Sequence, residues 1–101
     1  MATNKMRPIH PGEILREEYL APLEMSAHAL ALGLRVPAPR MNDIVRERRA
    51  VTPDTALRLA RFFGTTAQFW INLQSAYDLK LAEIESGRKI AQEVRPLDVA
   101  A

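Results

Sequence analysis

The chain has 101 residues, 48% of them hydrophobic and 26% charged, a size and balance that fit one domain with a single modest core. It contains no cysteine, which excludes a disulfide scaffold and a thiolate metal site. No apolar run approaches the roughly 18 residues of a membrane-spanning helix, and the first residues lack the apolar core of a signal peptide. These features predict a cytoplasmic protein that is not bound to a membrane.

The charge is small overall but unevenly distributed. The net charge is +2, and arginine supplies 11 of the 14 basic residues. Residues 35–49 contain five arginines against two acidic residues, whereas residues 13–24 contain four glutamates against one arginine. Such separation suits an anionic partner such as nucleic acid on one face, although a solvated charged face is the commoner cause of a charge cluster.

Apolar spacing predicts an all-α fold of about five helices, and no segment alternates in the manner of a strand. The first helix has Pro11 in its first turn and is ended or bent at Pro22. Ser26 is the predicted N-cap of the second helix. The third helix is predicted over residues 37–46.

The last two helices carry clear terminal signals. Thr52 is the predicted N-cap of the fourth helix, and Gly64 closes it. Thr65 and Gln68 form a predicted capping box for a long fifth helix. Gly87 is predicted to end that helix, which divides the chain into a domain at residues 1–86 and a short C-terminal tail at residues 87–101.

The second and third helices have the spacing of a helix-turn-helix, in which a second helix enters the DNA major groove. The positions that would face inward at a steep crossing are all apolar: Leu30, Ala31, Leu34, Val36, Met41 and Ile44. A helical hairpin inside an ordinary bundle has the same spacing, so both interpretations are open on this evidence. The turn also requires a left-handed residue, and Arg35 stands there in place of glycine at a cost of ~1 kcal/mol.

The third helix would present polar side chains to a partner. Its predicted outward residues are Ala38, Arg40, Asn42, Asp43 and Arg46. Arginine and asparagine can make bidentate contacts with guanine and adenine edges, and Arg48 and Arg49 in the next loop can hold phosphates. Asp43 could pair with Arg40 or Arg46 on the helix, or could contact DNA itself.

Four segments carry a resemblance to a known family: "IHPGEIL", "RVPAPRMNDIV", "TPDTALRLARFFGT" and "QFWINLQSAYDL". In order and spacing they resemble the HigA/VapI-type antitoxins of the Xre/Cro-like helix-turn-helix group, over about residues 7 to 82. The resemblance implies a five-helix dimeric repressor of its own operon. It also implies a small HigB/RelE-like toxin partner that cleaves mRNA.

The resemblance assigns roles to individual residues. Arg40 and Asn42 match the family's base-contacting surface, and its phosphate-facing end is matched by Arg46, Arg48 and Arg49. The segment that packs the last helix and builds the dimer is matched by Phe69, Trp70, Leu73 and Tyr77. Core and dimer interface both remain open for these aromatics. Departures from the family are Glu47, where glycine is usual, and Ala27 and Leu32, where polar residues are usual.

The sequence therefore favours an antitoxin that represses its own operon. The alternatives are a helix-turn-helix repressor without a toxin, and an interaction bundle that never binds DNA. A small nuclease is disfavoured because His10 and His28 stand alone, without an acid–base partner. No catalytic residue, metal or cofactor is expected. The acidic first helix is either a solvated face or a surface that attracts a basic toxin.

Overall fold

A computed structural model describes residues 7–98, which fold into five α-helices without a strand. Helix α1 joins three consecutive segments, Pro11–Ile14, the π-helical Leu15–Leu20 and Ala21–Leu23. The others are α2 (Ala27–Leu34), α3 (Ala38–Val45), α4 (Pro53–Phe63) and α5 (Ala67–Glu93). The predicted all-α fold with a long fifth helix is confirmed.

Short-range polar contacts set most of the helix ends. The Nδ1 atom of His10 accepts from the Gly12 amide at 2.8 Å and so caps α1. The Ser26 and Thr52 side chains each accept from a backbone amide three residues onward, as predicted for N-caps. Gly64 ends α4 with φ +74°, also as predicted.

The start of α5 is shifted by one residue from its predicted position. Thr66, not Thr65, is the N-cap, and its side chain accepts from the Phe69 amide at 3.1 Å. The Thr65 hydroxyl instead accepts from Nε1 of Trp70 at 2.8 Å. The predicted capping box is wrong because the indole N–H on the inner face of α5 needs an acceptor, and Thr65 supplies it.

The end of α5 also differs from the prediction, because the helix passes through Gly87 and stops at Glu93. An interior glycine weakens a helix by about 1 kcal/mol relative to alanine. The neighbouring residues of "ESGRKIAQE" are mostly good helix formers, and they outweigh that loss. The proposed division at residue 86 therefore does not coincide with a helix end.

The core lies where the first four helices meet the first half of α5. The inward residues predicted for the helix-turn-helix are buried, except that Val36 is only half-buried. Trp70 fills the centre with 0% exposure, beside the equally buried Leu15 and Leu59. Beyond Gln74 no residue of α5 is buried, so this helix extends away from the core and gives the protein its 58 Å long axis.

Helices α1 and α3 approach each other closely at Gly12. A Cβ built on Gly12 would overlap the backbone carbonyl of Ile44. Gly33 likewise lies under the ring of Phe62, so its lack of a side chain is used for packing.

The Gly12 contact predicts a large effect from one methyl group. Gly12→Ala should lower the free energy of unfolding by about 1–3 kcal/mol, because a backbone carbonyl cannot move aside as a flexible side chain can. Gly87→Ala is the matched control: no atom lies within 4 Å of its Cβ, so the better helix former should stabilise by roughly 0.5–1 kcal/mol. Urea denaturation at one fixed protein concentration measures both. Equal effects of the two changes would contradict this account of the α1–α3 contact.

Candidate nucleic-acid interface

The turn between α2 and α3 has the backbone geometry that a helix-turn-helix requires. Arg35 adopts the left-handed conformation with φ 61° and ψ 44°, as predicted. Its amide donates to the Leu32 carbonyl, and the next amide donates to the Ala31 carbonyl, which closes the end of α2. Val36 is half-buried against the core in this turn. The turn therefore keeps its geometry although a glycine is missing.

Helix α3 starts sharply and presents a polar face. Pro37 stands before it in extended conformation, and Pro39 lies in the first turn, where a missing N–H costs little. Met41 and Ile44 are buried on the inner side. The predicted outward residues Ala38, Arg40, Asn42 and Asp43 are half-buried, whereas Arg46, Arg48 and Arg49 are exposed at the end of the helix and in the next loop.

Arg40 does not project freely from this face. Its Nη1 atom contacts the Asp54 carboxylate at 2.7 Å, across the gap to the first turn of α4. Asp54 also accepts from Nε of Arg58 at 2.9 Å, and hydrogen bonds from both arginines lower the pKa of this carboxyl. Arg58 donates further to the Leu34 carbonyl. One network thus ties together α2, α3 and α4.

Asp43 pairs with a residue outside its own helix. Its carboxylate lies 3.3 Å from the Arg49 guanidinium, a partner that differs from Arg40 and Arg46, the two that the sequence offered as one alternative. The reason is the turn after α3, where Glu47 has φ 63°. The left-handed residue reverses the chain and brings Arg49 back over α3.

Glu47, at a position where the resemblance predicts glycine, adopts the left-handed conformation with φ 63°. Its carboxylate lies 3.3 Å from the guanidinium of Arg16 in α1. The same guanidinium donates to the Val45 carbonyl at the C-terminal end of α3. Arg16 is the single arginine of the acidic segment 13–24, and no local signal connects it with a residue 29 positions away.

Gln74 is a second structural residue that the sequence did not reveal. Its side chain is buried in α5, where Oε1 accepts from the Val51 amide at 2.7 Å and Nε2 donates to Asp78 at 2.9 Å. It holds the loop that follows α3 against α5. A buried glutamine is uncommon, but its position in the sequence does not identify its partner.

His10 joins the same loop to α1 and α5. Its ring is 3% exposed and stands edge-on to Tyr77, with 4.8 Å between ring centroids. Burial lowers the pKa of His10, and this effect outweighs the attraction of Glu47 and of the Arg49 backbone. The imidazole is therefore held neutral, with Nδ1 as the acceptor of the α1 cap.

The four residues assigned to dimerisation have different environments. Trp70 is wholly buried and packs against Tyr19, with 5.2 Å between ring centroids, so it is a core residue of the protomer. Phe69 is 36% exposed. Leu73 and Tyr77 are half-buried and line a shallow hollow with Ile14 of α1 and with Ile9, which precedes that helix.

Residues 7–98 contain neither a candidate metal site nor a candidate membrane-spanning helix. No group of three or more histidine, aspartate or glutamate side chains there is placed to hold a metal ion. None of the helices over the same range combines enough length with enough apolar character to cross a membrane.

The helix-turn-helix geometry and the arginines around α3 define the class: this is a helix-turn-helix protein. The chain is 65% identical over 80 residues to virulence-associated protein I of Dichelobacter nodosus, covering 79% of this chain and 74% of that protein. It is 37% identical to the transcriptional regulator YbaQ of Escherichia coli K12, covering 94% and 82% of the two chains. No protein-family model matches it.

A solved structure, Pseudomonas aeruginosa antitoxin HigA with the higBA promoter, has 55% identity and a TM-score of 0.89, and covers 90% of this chain and 99% of that one. The chain belongs to the HigA/VapI family of helix-turn-helix antitoxins.

The buried histidine predicts a pH dependence of stability. The folded pKa of His10 is below its ordinary value of 6.5. As pH falls from 6.5, the unfolded chain binds a proton that the folded protein excludes, so the free energy of unfolding decreases until pH passes the folded pKa. His10→Asn keeps a capping acceptor without titrating, and it should remove this decrease in urea denaturation between pH 7 and 5.

The chain offers a matched control. His28 is exposed on α2, and His28→Asn should leave the decrease unchanged. Glu13 and Asp54, whose pKa values are lowered by their arginine partners, lose their stabilising effect only below about pH 4.5 and 3.8 respectively. A decrease that survives in His10→Asn between pH 7 and 5 would show that another group causes it.

Proposed function

We propose that this protein is the antitoxin of a type II toxin–antitoxin pair. It acts as a homodimer that binds operator DNA, represses its own operon and neutralises a HigB/RelE-like toxin that cleaves mRNA. The observation that carries the proposal is helix α3, whose start is fixed by prolines and whose end carries arginines. A HigA antitoxin that is 55% identical to this chain was solved with promoter DNA. It works in the cytoplasm, without catalytic activity or a cofactor.

The residues around α3 differ in whether an ion pair restricts their contact with DNA. Ala38, Asn42 and Arg46 follow one another at four-residue spacing and so share one face, which places Asn42 to contact an adenine edge. Arg46 and Arg48 are exposed and form no ion pair within the described residues, so they can contact phosphates.

Arg40 and Arg49 are the remaining arginines, and both are held by carboxylates. Arg40 lies at the edge of α3 and contacts a base while Asp54 fixes its direction. Arg49 contacts a phosphate. The neighbouring Asp43 carboxylate orients the Arg49 guanidinium and repels phosphates that come too close to Asp43. The ion pairs thus restrict which DNA geometry the surface accepts.

Dimerisation uses the side of α5 that continues beyond the core. Leu73, Tyr77 and Ile84 are spaced by four and seven residues, which places them on one helical stripe with Phe69. Ile84 is 62% exposed, past the point where this protomer contacts α5. A second protomer packed along this stripe covers these apolar groups and fixes the separation of the two α3 helices.

A repressor without a toxin is the second candidate, because one relative of this chain is a helix-turn-helix transcriptional regulator by name. Co-expression with the protein of the neighbouring gene distinguishes the two. Stable co-purification together with loss of that protein's ribonuclease activity supports the antitoxin. Absence of any complex supports the regulator.

DNA binding is tested by fluorescence anisotropy on the DNA upstream of the gene and on scrambled DNA, across a salt series. Arg40→Ala should lose about 1–3 kcal/mol of binding free energy on the upstream DNA alone, because it removes a base contact. Arg48→Ala should weaken binding to both DNAs and reduce the salt slope by about one, because it removes a phosphate contact.

Arg88→Ala is the control, since Arg88 is exposed on the distal half of α5. It should bind as the unaltered protein does. Equal losses on both DNAs for Arg40→Ala and Arg48→Ala would contradict the separate roles, and no preference of the unaltered protein for upstream DNA would contradict the repressor.

The dimer stripe predicts a side-specific effect. Ile84→Asp should convert the dimer into a monomer in sedimentation velocity, because a carboxylate would be buried without a partner. Leu79→Asp is the matched control: Leu79 is 62% exposed on the same helix, like Ile84, but lies on another side. If both variants stay dimeric, or if only Leu79→Asp dissociates, the stripe is not the interface.

A further inference from the structure

A groove with an apolar floor and a basic rim lies between α2 and α4. Its volume is about 330 Å³. The floor includes Leu57 and Phe62, which are 63% and 40% exposed, and the rim carries Arg35 and Arg61. Exposed apolar groups gathered in a concave site indicate a surface that another molecule covers.

The charges of the rim limit the chemistry of that molecule. Arg58 is occupied by Asp54 and the Leu34 carbonyl. Arg35 and Arg61, in contrast, form no ion pair within residues 7–98. The groove thus presents two available cations beside uncovered apolar surface. A partner that fits it is acidic and has a projecting apolar side chain.

The last turn of α1 has these properties. Leu23 is 57% exposed, and the exposed Glu24 directly after it has the left-handed conformation with φ 51°. Glu17 and Glu18 are exposed one to two turns earlier on the same helix. No residue of α1 lines the groove, so the two surfaces are separate parts of each protomer.

We propose that the groove binds the last turn of α1 from a second copy of this chain that belongs to a neighbouring dimer. Leu23 of one copy packs on Leu57 and Phe62 of the other, and Glu24 meets the rim arginines. Two grooves cannot face each other, because their arginines would repel. The contact therefore joins two different surfaces, the groove of one copy and the last turn of α1 of the other.

The consequence is cooperative binding of dimers to adjacent operator sites. A single small groove supports only weak association in solution. DNA that carries two sites holds the dimers side by side and raises their effective concentration, so a weak contact becomes significant there. This inference rests on the proposed function, because it takes the dimer and its operator as given.

A charge exchange tests the contact. Binding is measured on DNA with one operator copy and on DNA with two adjacent copies, for Arg61→Glu, Glu24→Lys and the variant carrying both. Each single change should reduce the cooperativity between the two sites at least tenfold, and the double variant should restore it. Affinity for the single site should stay the same in all three, and circular dichroism checks that each is folded.

Each result decides between the alternatives. Cooperativity that is absent in the unaltered protein, unaffected by the single changes, or not restored in the double variant overturns the proposal. If binding to the single site is absent, the proposed function itself fails. Sedimentation of the free protein at low salt then decides: association beyond the dimer that the single changes abolish and the double variant restores supports the contact, and any other pattern overturns it.

The toxin is the competing occupant of the groove. If Arg61→Glu abolishes co-purification with the protein of the neighbouring gene while cooperativity on DNA stays intact, the groove binds that protein. The proposal is then overturned. Leu57→Ser extends the test to the apolar floor, since Leu57 is exposed on α4. This change should reduce cooperativity without reducing affinity for the single site.

Discussion

The orientation of α3 depends on its contact with the beginning of α1. A helix of 8 residues is not stable alone in water, so its direction must come from its neighbours. Gly12 allows α1 to approach the Ile44 carbonyl, and Arg16 donates to the Val45 carbonyl at the end of α3. Two carbonyls in the last turn of α3 are thus enclosed by α1. A larger residue at position 12 would separate the helices and leave α3 without a fixed direction.

The arginines of this chain perform two kinds of work, and composition alone does not separate them. Arg16 and Arg58 each donate to a carbonyl in the last turn of a helix, α3 and α2 respectively, and each also meets a carboxylate. These two guanidinium groups therefore stabilise the fold and are not available to DNA. Arg46 and Arg48 have no such partner among the described residues and remain available to an anion. The basic character of residues 35–49 therefore overstates the number of free cations at the interface, since Arg40 and Arg49 are held by aspartates.

Features with short-range causes were predictable from the sequence. The caps at Ser26 and Thr52, the left-handed Arg35 and the closing Gly64 all depend on residues within a turn or two. Errors at the two ends of α5 arose where local signals conflicted. The capping residue of α5 moved from Thr65 to Thr66 because the buried Trp70 needs a hydrogen-bond acceptor. Gly87 did not end α5, because the helix-forming residues on both sides outweigh one glycine.

The residues that fix the interface were the hardest to predict. Gln74 and Val51 are 23 positions apart, and the Asp43–Arg49 pair depends on the reversal at Glu47. Neither has a periodic or terminal signal in the sequence. The assignment of α3 itself was accessible, because six apolar positions must coincide for two helices to cross there.

The rigid connection between α3 and α5 gives the long fifth helix its significance. Gln74 holds the loop after α3, and His10 stands edge-on to Tyr77 of α5, so these contacts fix α5 relative to the DNA-facing surface. Helix α5 has 27 residues and no break, a length of about 40 Å. A partner protomer packed on α5 is therefore held in a fixed orientation relative to α3. If the two α3 helices address half-sites one DNA turn apart, ~34 Å, the register of two α5 helices sets that spacing, and the interface needs no flexible element to achieve it.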